Sequence, residues 1–160
     1  MITASAARES FNYASDIGVL TWRVRPGGRV QIGDEAGSLT ADGYLVLQFE
    51  GRRYLVHRVI WLWMTGDWPA FEVDHWNGSH ADNRWSNLRD VQHKTNTENR
   101  QTANSNNSTG FLGVSRNTRG FVARIRLSGK SRCLGTFETP QAAHDAYLAA
   151  KREVHAGCTI

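Results

Sequence analysis

The stretch FEVDHWNGSHADNRWSNL, residues 71–88, sets Asp74 directly beside His75 and then supplies Asn77, Asn83 and Asn87. A carboxylate beside an imidazole can manage a cation and a proton at one place. The stretch holds too little apolar material to be a core segment. It is also too rich in hydrogen-bonding side chains to be a spacer.

These residues need elements to hold them. FEVDH reads as a strand, residues 76–87 as a loop, LRDVQ as a short strand and TNTENRQ as the start of a helix. A hairpin followed by a helix would bring Asp74, His75 and Asn96 onto one small concave surface. A carboxylate oxygen and an amide oxygen are hard donors, suited to magnesium or manganese. A neutral imidazole next to them can take a proton from water near neutral pH. Together with charge stabilisation by the cation, that suffices to hydrolyse a phosphodiester. Each residue also has a structural reading: His75 as a strand-end cap, Asn87 as a turn asparagine, Asn96 as a helix N-cap.

Asp74-His75, Asn87 and Asn96, with VHRVIW, GDWP, NGSHADNRWSNLR and NTENR around them, resemble the HNH nuclease motif in its His-Asn-Asn variant. The resemblance is to phage and intron-encoded HNH homing endonucleases and runs over roughly residues 18–101. It implies that His75 is the general base, that Asp74 and Asn96 hold one divalent metal ion, and that Asn87 bonds across the loop to keep His75 in place. His57 is expected as a structural helix-start residue, and His80 and His93 as loop histidines near the motif. Asn99 and Arg100 are candidates for phosphate contact. Trp76 departs from the aliphatic residue usual in that family and is expected to pack beneath the loop.

Composition narrows the class. Hydrophobic residues make up 40% of the 160-residue chain, enough for a core. The longest apolar run, YLVHRVIWLWM, is interrupted by His57 and Arg58, so no membrane association is expected. The N-terminal residues lack the apolar core of a secretory signal. Two cysteines without a CxxC pair argue for a reducing compartment and against a zinc ribbon. A cytoplasmic protein, in a bacterial host or phage-encoded, is the expectation.

Charge is unevenly spread. Residues 1–109 carry 11 Lys and Arg against 12 Asp and Glu, whereas residues 110–160 carry 8 against 3. A basic module joined to a near-neutral partner fits a nucleic-acid-binding segment, against the plainer reading of a solvated basic face.

The fold class expected is α+β. Residues 1–101 would form a nuclease domain, with a β-rich part at 1–56 and a ββα-metal core at 57–101. In the first part a helix near AARESFNY precedes strands at GVLTWRV and GYLVLQF. In the core, Val56, Val59, Ile60 and Trp63 make one apolar helix face ending at Gly66. The small polar run 102–109 reads as a linker. Residues 110–160 read as a three-stranded antiparallel sheet packed on one helix, the helix opening at Thr139 with Pro140 in its first position.

In FVARIRL, alternation sets Phe121, Ala123, Ile125 and Leu127 on one face and Val122, Arg124 and Arg126 on the other. Arg116 from the first strand, and Lys130 or Arg132 from the third, are expected to join the arginine face. No acid lies between Gly110 and Phe137, so double-stranded DNA is the expected partner. This segment, with LGTFET and the helical AA, AY and AA spacing, is similar to the plant APETALA/ethylene-response-factor DNA-binding domain. It departs from that family at Leu112-Gly113-Val114-Ser115 and at Cys133. Base-reading pairs therefore do not transfer.

The leading expectation is a metal-dependent endonuclease that nicks one strand of double-stranded DNA per active site, using Mg or Mn. A phage or mobile-element role is implied, acting as a monomer with a dimer as the alternative. The competing readings are a DNA-binding regulator without catalysis, and a nuclease acting on RNA or branched DNA.

Overall fold

A computed structural model of the chain describes residues 1–104, 106–127, 129–155 and 158–159. It divides into two compact units, Met1–His93 and Lys94–Ile160. The expected linker 102–109 falls inside the second unit, and its Ser105 lies outside the described residues. No helix among the described residues is long and apolar enough to cross a membrane.

The first unit opens with α1 (Ala4–Ser10), capped by the Thr3 hydroxyl on the Ala6 amide. The expected helix over AARESFNY stops early, because Phe11 starts strand β1 (Phe11–Ala14) and pairs with Trp22 of β2 (Val19–Trp22). Packing overrides helical propensity there. The Phe11 ring lies 4.6 Å from Trp22 and 5.7 Å from Phe49, so pairing as a strand seats it fully in the core.

Next comes a three-stranded antiparallel sheet of β3 (Ser38–Leu39), β4 (Leu45–Phe49) and β5 (Arg52–Leu55). It leads directly into α2 (Val56–Thr65), which buries Val56, His57, Val59, Ile60 and Leu62. Gly66 ends this helix at φ 92°, donating its amide to the Leu62 carbonyl. After α2, β6 (Glu72–His75) pairs antiparallel with β7 (Leu88–Val91), setting Asp74 opposite Arg89 and His75 opposite Leu88. A 3₁₀ turn, Trp85–Asn87, delivers the chain into β7. Val73 and Leu88 bury against the same apolar cluster as Val59 and Ile60, and this fixes the hairpin on the helix. Helix α3 (His93–Glu98) follows, beginning two residues before the TNTENRQ run.

The second unit is built on β8 (Val114–Asn117), β9 (Gly120–Leu127) and β10 (Lys130–Phe137), with β9 central, covered by α4 (Pro140–Val154). Thr139 caps α4 and Pro140 occupies its first turn. Val114, Ala123, Ile125, Ala143 and Tyr147 form its core. Gly113 makes the close approach possible. At φ 76° it lets Tyr147 sit where a β-carbon would lie 2.1 Å from the ring.

One asparagine before β8, Asn107, is structural. Asn107 donates to the Phe111 and Val114 carbonyls and accepts from Thr109 and Gly110. Residues 107–110 are thereby bonded to the start of β8.

One sequence expectation about this sheet is corrected by register. Cross-strand partners share a face. Arg116 opposes Phe121, Lys130 opposes Leu127 and Arg132 opposes Ile125, so all three stand on the helix side. Only Arg124 and Arg126, opposite Cys133 and Ser131, hold the outer face. Arg124 reaches Ser115 on that face at 3.4 Å, and Arg116 lies 5.8 Å from the Phe121 ring centre on the other. Val122, assigned by alternation to the outer face, is buried.

Candidate active site

The β6–β7 hairpin carries the candidate site, and its loop is tied by side chains. Asn87 is the hub. Its Oδ1 accepts from the Asn77 amide at 2.9 Å, and its Nδ2 donates to Asn77 Oδ1 at 3.0 Å and to the Asp82 carbonyl at 2.7 Å. Asn77 in turn donates to Asp82 Oδ2, while the Arg84 guanidinium grips the same carboxylate through Nε and Nη2. Arg84 holds Asp82 far below the ordinary carboxylate range. The asparagine-rich composition therefore builds a loop bonded largely to itself.

His75 closes β6 and is 2% exposed. Its Nε2 lies 3.0 Å from Oδ1 of Asn83, a residue that is itself 1% exposed. The surrounding rings are His57 at 5.0 Å, Tyr44 at 6.0 Å and His80 at 6.0 Å between centres. Tyr44 stacks on His80 at 4.0 Å, and His80 Nδ1 donates to the Asp42 carbonyl. Burial pushes His75 below its ordinary value, partly countered by its bond to Asn83. His57, also buried, is pushed down to about 3 by burial and then by His75. Both imidazoles are therefore neutral near pH 7, the form in which a histidine can accept a proton.

Asp74 is 7% exposed, and its Oδ2 accepts both Nε and Nη2 of Arg89, at 2.9 and 2.7 Å. The Arg89 guanidinium lies 4.6 Å from the centre of the Trp76 ring. Trp76 does not pack beneath the loop as expected. It is 54% exposed and faces this guanidinium.

Asp74, His75 and Asn87 thus stand together in the first unit, while Asn96 lies on α3 in the second. Arg100 and Asn99 follow α3 instead of belonging to it. Arg100 donates to Asn104 at 2.7 Å, and Asn99 is buried with its Oδ1 accepting from the Thr159 hydroxyl. His93 pairs with Glu72 at 2.8 Å.

Asn83, Arg89 and Tyr44 carry no assigned role in the sequence reading, although all three surround the predicted residues. The hairpin register supplies the signal for Arg89, since pairing FEVDH with LRDV through His75 and Leu88 sets Arg89 opposite Asp74. Nothing local to the sequence marks Tyr44.

A divalent metal fits the donor chemistry of Asp74, a buried hard oxygen donor. Among the described residues no three His, Cys, Asp or Glu side chains group as a metal site.

Residues 54–98 match the family model for the HNH endonuclease. No curated protein and no solved structure matches the chain. The matched segment spans β5, α2, the β6–β7 hairpin and α3, and it contains Asp74, His75, Asn87 and Asn96. It supports an HNH nuclease domain, a type that generally uses a divalent metal and acts on DNA.

Proposed function

We propose that the chain is a DNA endonuclease that nicks one strand of duplex DNA per active site, with His75 as general base. The observation that carries this reading is a buried, neutral His75 directly beside the Asp74 carboxylate, inside the segment matched to HNH endonucleases. His75 takes a proton from water, the water oxygen forms the new bond to phosphorus, and the bond to the leaving sugar oxygen breaks. Asn87 keeps the loop closed around that histidine through Asn77 and Asp82. Asp74 and Asn96 would hold one magnesium or manganese ion, whose charge would stabilise the phosphate and the leaving oxygen. Arg89 holds Asp74 in place, and a bound cation would have to share that carboxylate with it.

On this reading residues 1–101 act as the nuclease and residues 110–160 as a DNA-binding module. Arg124 and Arg126 on the outer sheet face would meet the duplex. Arg116, Lys130, Arg132 and Arg100 supply positive charge nearby in sequence. The enzyme would act as a monomer inside a cell, in phage or mobile-element DNA processing such as homing.

The test is relaxation of supercoiled plasmid with Mg or Mn, comparing wild type, His75→Ala and an EDTA control. Open-circular product from wild type alone, lost with the metal or with His75, supports the reading. A second reading, a DNA-binding regulator without catalysis, is favoured by the Arg89 guanidinium already occupying Asp74 Oδ2. Duplex binding without relaxation under either metal would select it.

A further inference from the structure

Trp22 ends β2 in the core, and the chain that leaves it soon comes back. The Trp22 amide donates to the Asp34 carbonyl at 2.9 Å, and the Gly33 amide donates to the Trp22 carbonyl at 2.8 Å. Residues 23–33 therefore form a loop with a closed neck, rooted on a tryptophan that is 5% exposed. Within it every residue but Val30 is exposed.

The charge on this loop is of one sign. It carries Arg23, Arg25 and Arg29, and no acid lies between Asp16 and Asp34. A merely solvated surface more often mixes the two signs. Arg23 donates to the Arg8 carbonyl at 3.1 Å and Arg25 to the Gly28 carbonyl at 3.2 Å, so both guanidinium groups are oriented without being neutralised. Asp34, the acid at the neck, accepts the Gln31 amide at 2.7 Å instead. Glu35 and Glu50 share a cleft with Pro26, Gly27 and Val30, yet among the described residues no ion pair joins either acid to these arginines. A β-carbon at Gly27 or Gly28 would meet nothing within 4 Å, which leaves the tip open to an approaching surface.

The other end of β2 reaches the candidate active site. The Tyr13 hydroxyl donates to the Asn83 carbonyl at 2.7 Å, and the Trp85 amide donates to the Ser15 carbonyl at 3.0 Å. At Gly18 a β-carbon would lie 2.4 Å from the Arg84 nitrogen. The turn of the β1–β2 hairpin thus presses on residues 83–85. From that turn the four residues of β2 carry the chain about 13 Å to the loop. Along a duplex this is about four base-pair steps.

We infer that the loop of residues 23–33 is a second duplex-DNA contact, held in the nuclease unit itself, which grips backbone phosphates a few base pairs from the scissile bond through Arg25 and Arg29. This rests on the reading of the chain as a DNA endonuclease. A guanidinium meets phosphate oxygens as a fork, and such contacts set the register of a duplex without reading its sequence. The contact lies wholly within Met1–His93 and needs nothing from the C-terminal sheet.

The experiment measures binding of the full chain to a fluorescent duplex of mixed sequence across a salt series, in EDTA so that nothing is cut. Nicking of supercoiled plasmid with Mg or Mn is followed in parallel. Arg25→Gln with Arg29→Gln is expected to lower the slope of log binding constant against log salt by about 2, and to raise KM several-fold at unchanged kcat. Arg25→Lys with Arg29→Lys keeps the charge and is expected to restore most of both. Arg52→Gln with Arg53→Gln removes as much charge from two exposed positions on β5 and is expected to leave the slope near that of wild type. A glutamine pair in the loop that leaves the slope unchanged overturns the inference, as does a β5 pair that lowers it equally. A lysine pair that binds no better than the glutamine pair would reduce Arg25 to its bond with Gly28, and it overturns the inference too. So does a drop seen on single-stranded RNA and not on duplex. A wild type whose duplex binding depends on the loop, yet which nicks under neither metal, overturns the endonuclease reading and leaves the loop contact standing. A wild type that binds no duplex at any salt overturns both.

Discussion

Arg89 donates both Nε and Nη2 to the same oxygen of Asp74, at 2.9 and 2.7 Å, across the β6–β7 ladder that sets the two residues opposite each other. The pair is mostly buried, with side-chain exposures of 19% and 9%. The carboxylate proposed to hold a metal is therefore already charge-balanced.

Removing that balance makes the first prediction. Arg89→Ala takes the guanidinium away from a buried carboxylate, and it should lower stability by about 1–3 kcal/mol. A divalent cation that binds Asp74 replaces the lost charge by mass action. Thermal melts should thus show a larger rise with millimolar magnesium in Arg89→Ala than in wild type. Equal rises would remove Asp74 from the metal site.

His57 makes stability depend on pH. Its folded value, about 3, lies below the ordinary 6.5 of the unfolded chain. Below pH 6.5 the unfolded state takes up a proton that the native state refuses, so stability falls as pH drops through that window toward the folded value. At pH 5 the loss from this residue is about 2 kcal/mol. His75 is shifted in the same direction and adds to it. Urea melts at pH 7 and pH 5 should differ less for His57→Gln than for wild type. An unchanged difference would show that His57 is not buried neutral.

Asn87→Ala takes three hydrogen bonds from the loop at once. The cost should be about 2 kcal/mol, since buried partners are left unsatisfied. The sharper readout is amide exchange at Asn77, whose N–H lies on Asn87 Oδ1. That amide should lose protection in the variant while Val59 in α2 keeps its own. Protection retained at Asn77 would refute the hub.

The two faces of the C-terminal sheet make opposite predictions for DNA. Arg124→Gln with Arg126→Gln should reduce the slope of log binding constant against log salt by about 2, one for each phosphate that goes unneutralised. Arg116→Gln with Arg132→Gln, on the helix side, should leave the slope nearly unchanged. If the helix-side pair has the larger effect, the duplex does not lie on the outer face.

Features decided by neighbours in sequence are legible without a structure. The apolar face of α2 with its Gly66 stop and the Thr139–Pro140 start of α4 each follow from local periodicity or capping. Asp74, His75 and Asn87 lie in one short stretch, so their meeting is legible too. What fails is decided between strands. Counting alternation along one strand says nothing of which partner residue it opposes. The bulge between Cys133 and Gly135 further shifts the register along β10. Arg116, Lys130 and Arg132 are misplaced because their faces are set by the residues they oppose, Phe121, Leu127 and Ile125, outside that bulge. Asn83 escapes because what distinguishes it from the other loop asparagines is its proximity to the His75 ring and the grip of Tyr13, 70 positions earlier.

That grip has a practical meaning for anyone wishing to transplant the catalytic hairpin. The matched segment begins at residue 54, yet Tyr13, Ser15 and Gly18 brace the backbone of residues 83–85 from outside it. A piece excised at the family boundary would carry every predicted catalytic side chain and lack the scaffold that braces their loop. Here the smallest portable form of the hairpin is longer than its recognisable signature.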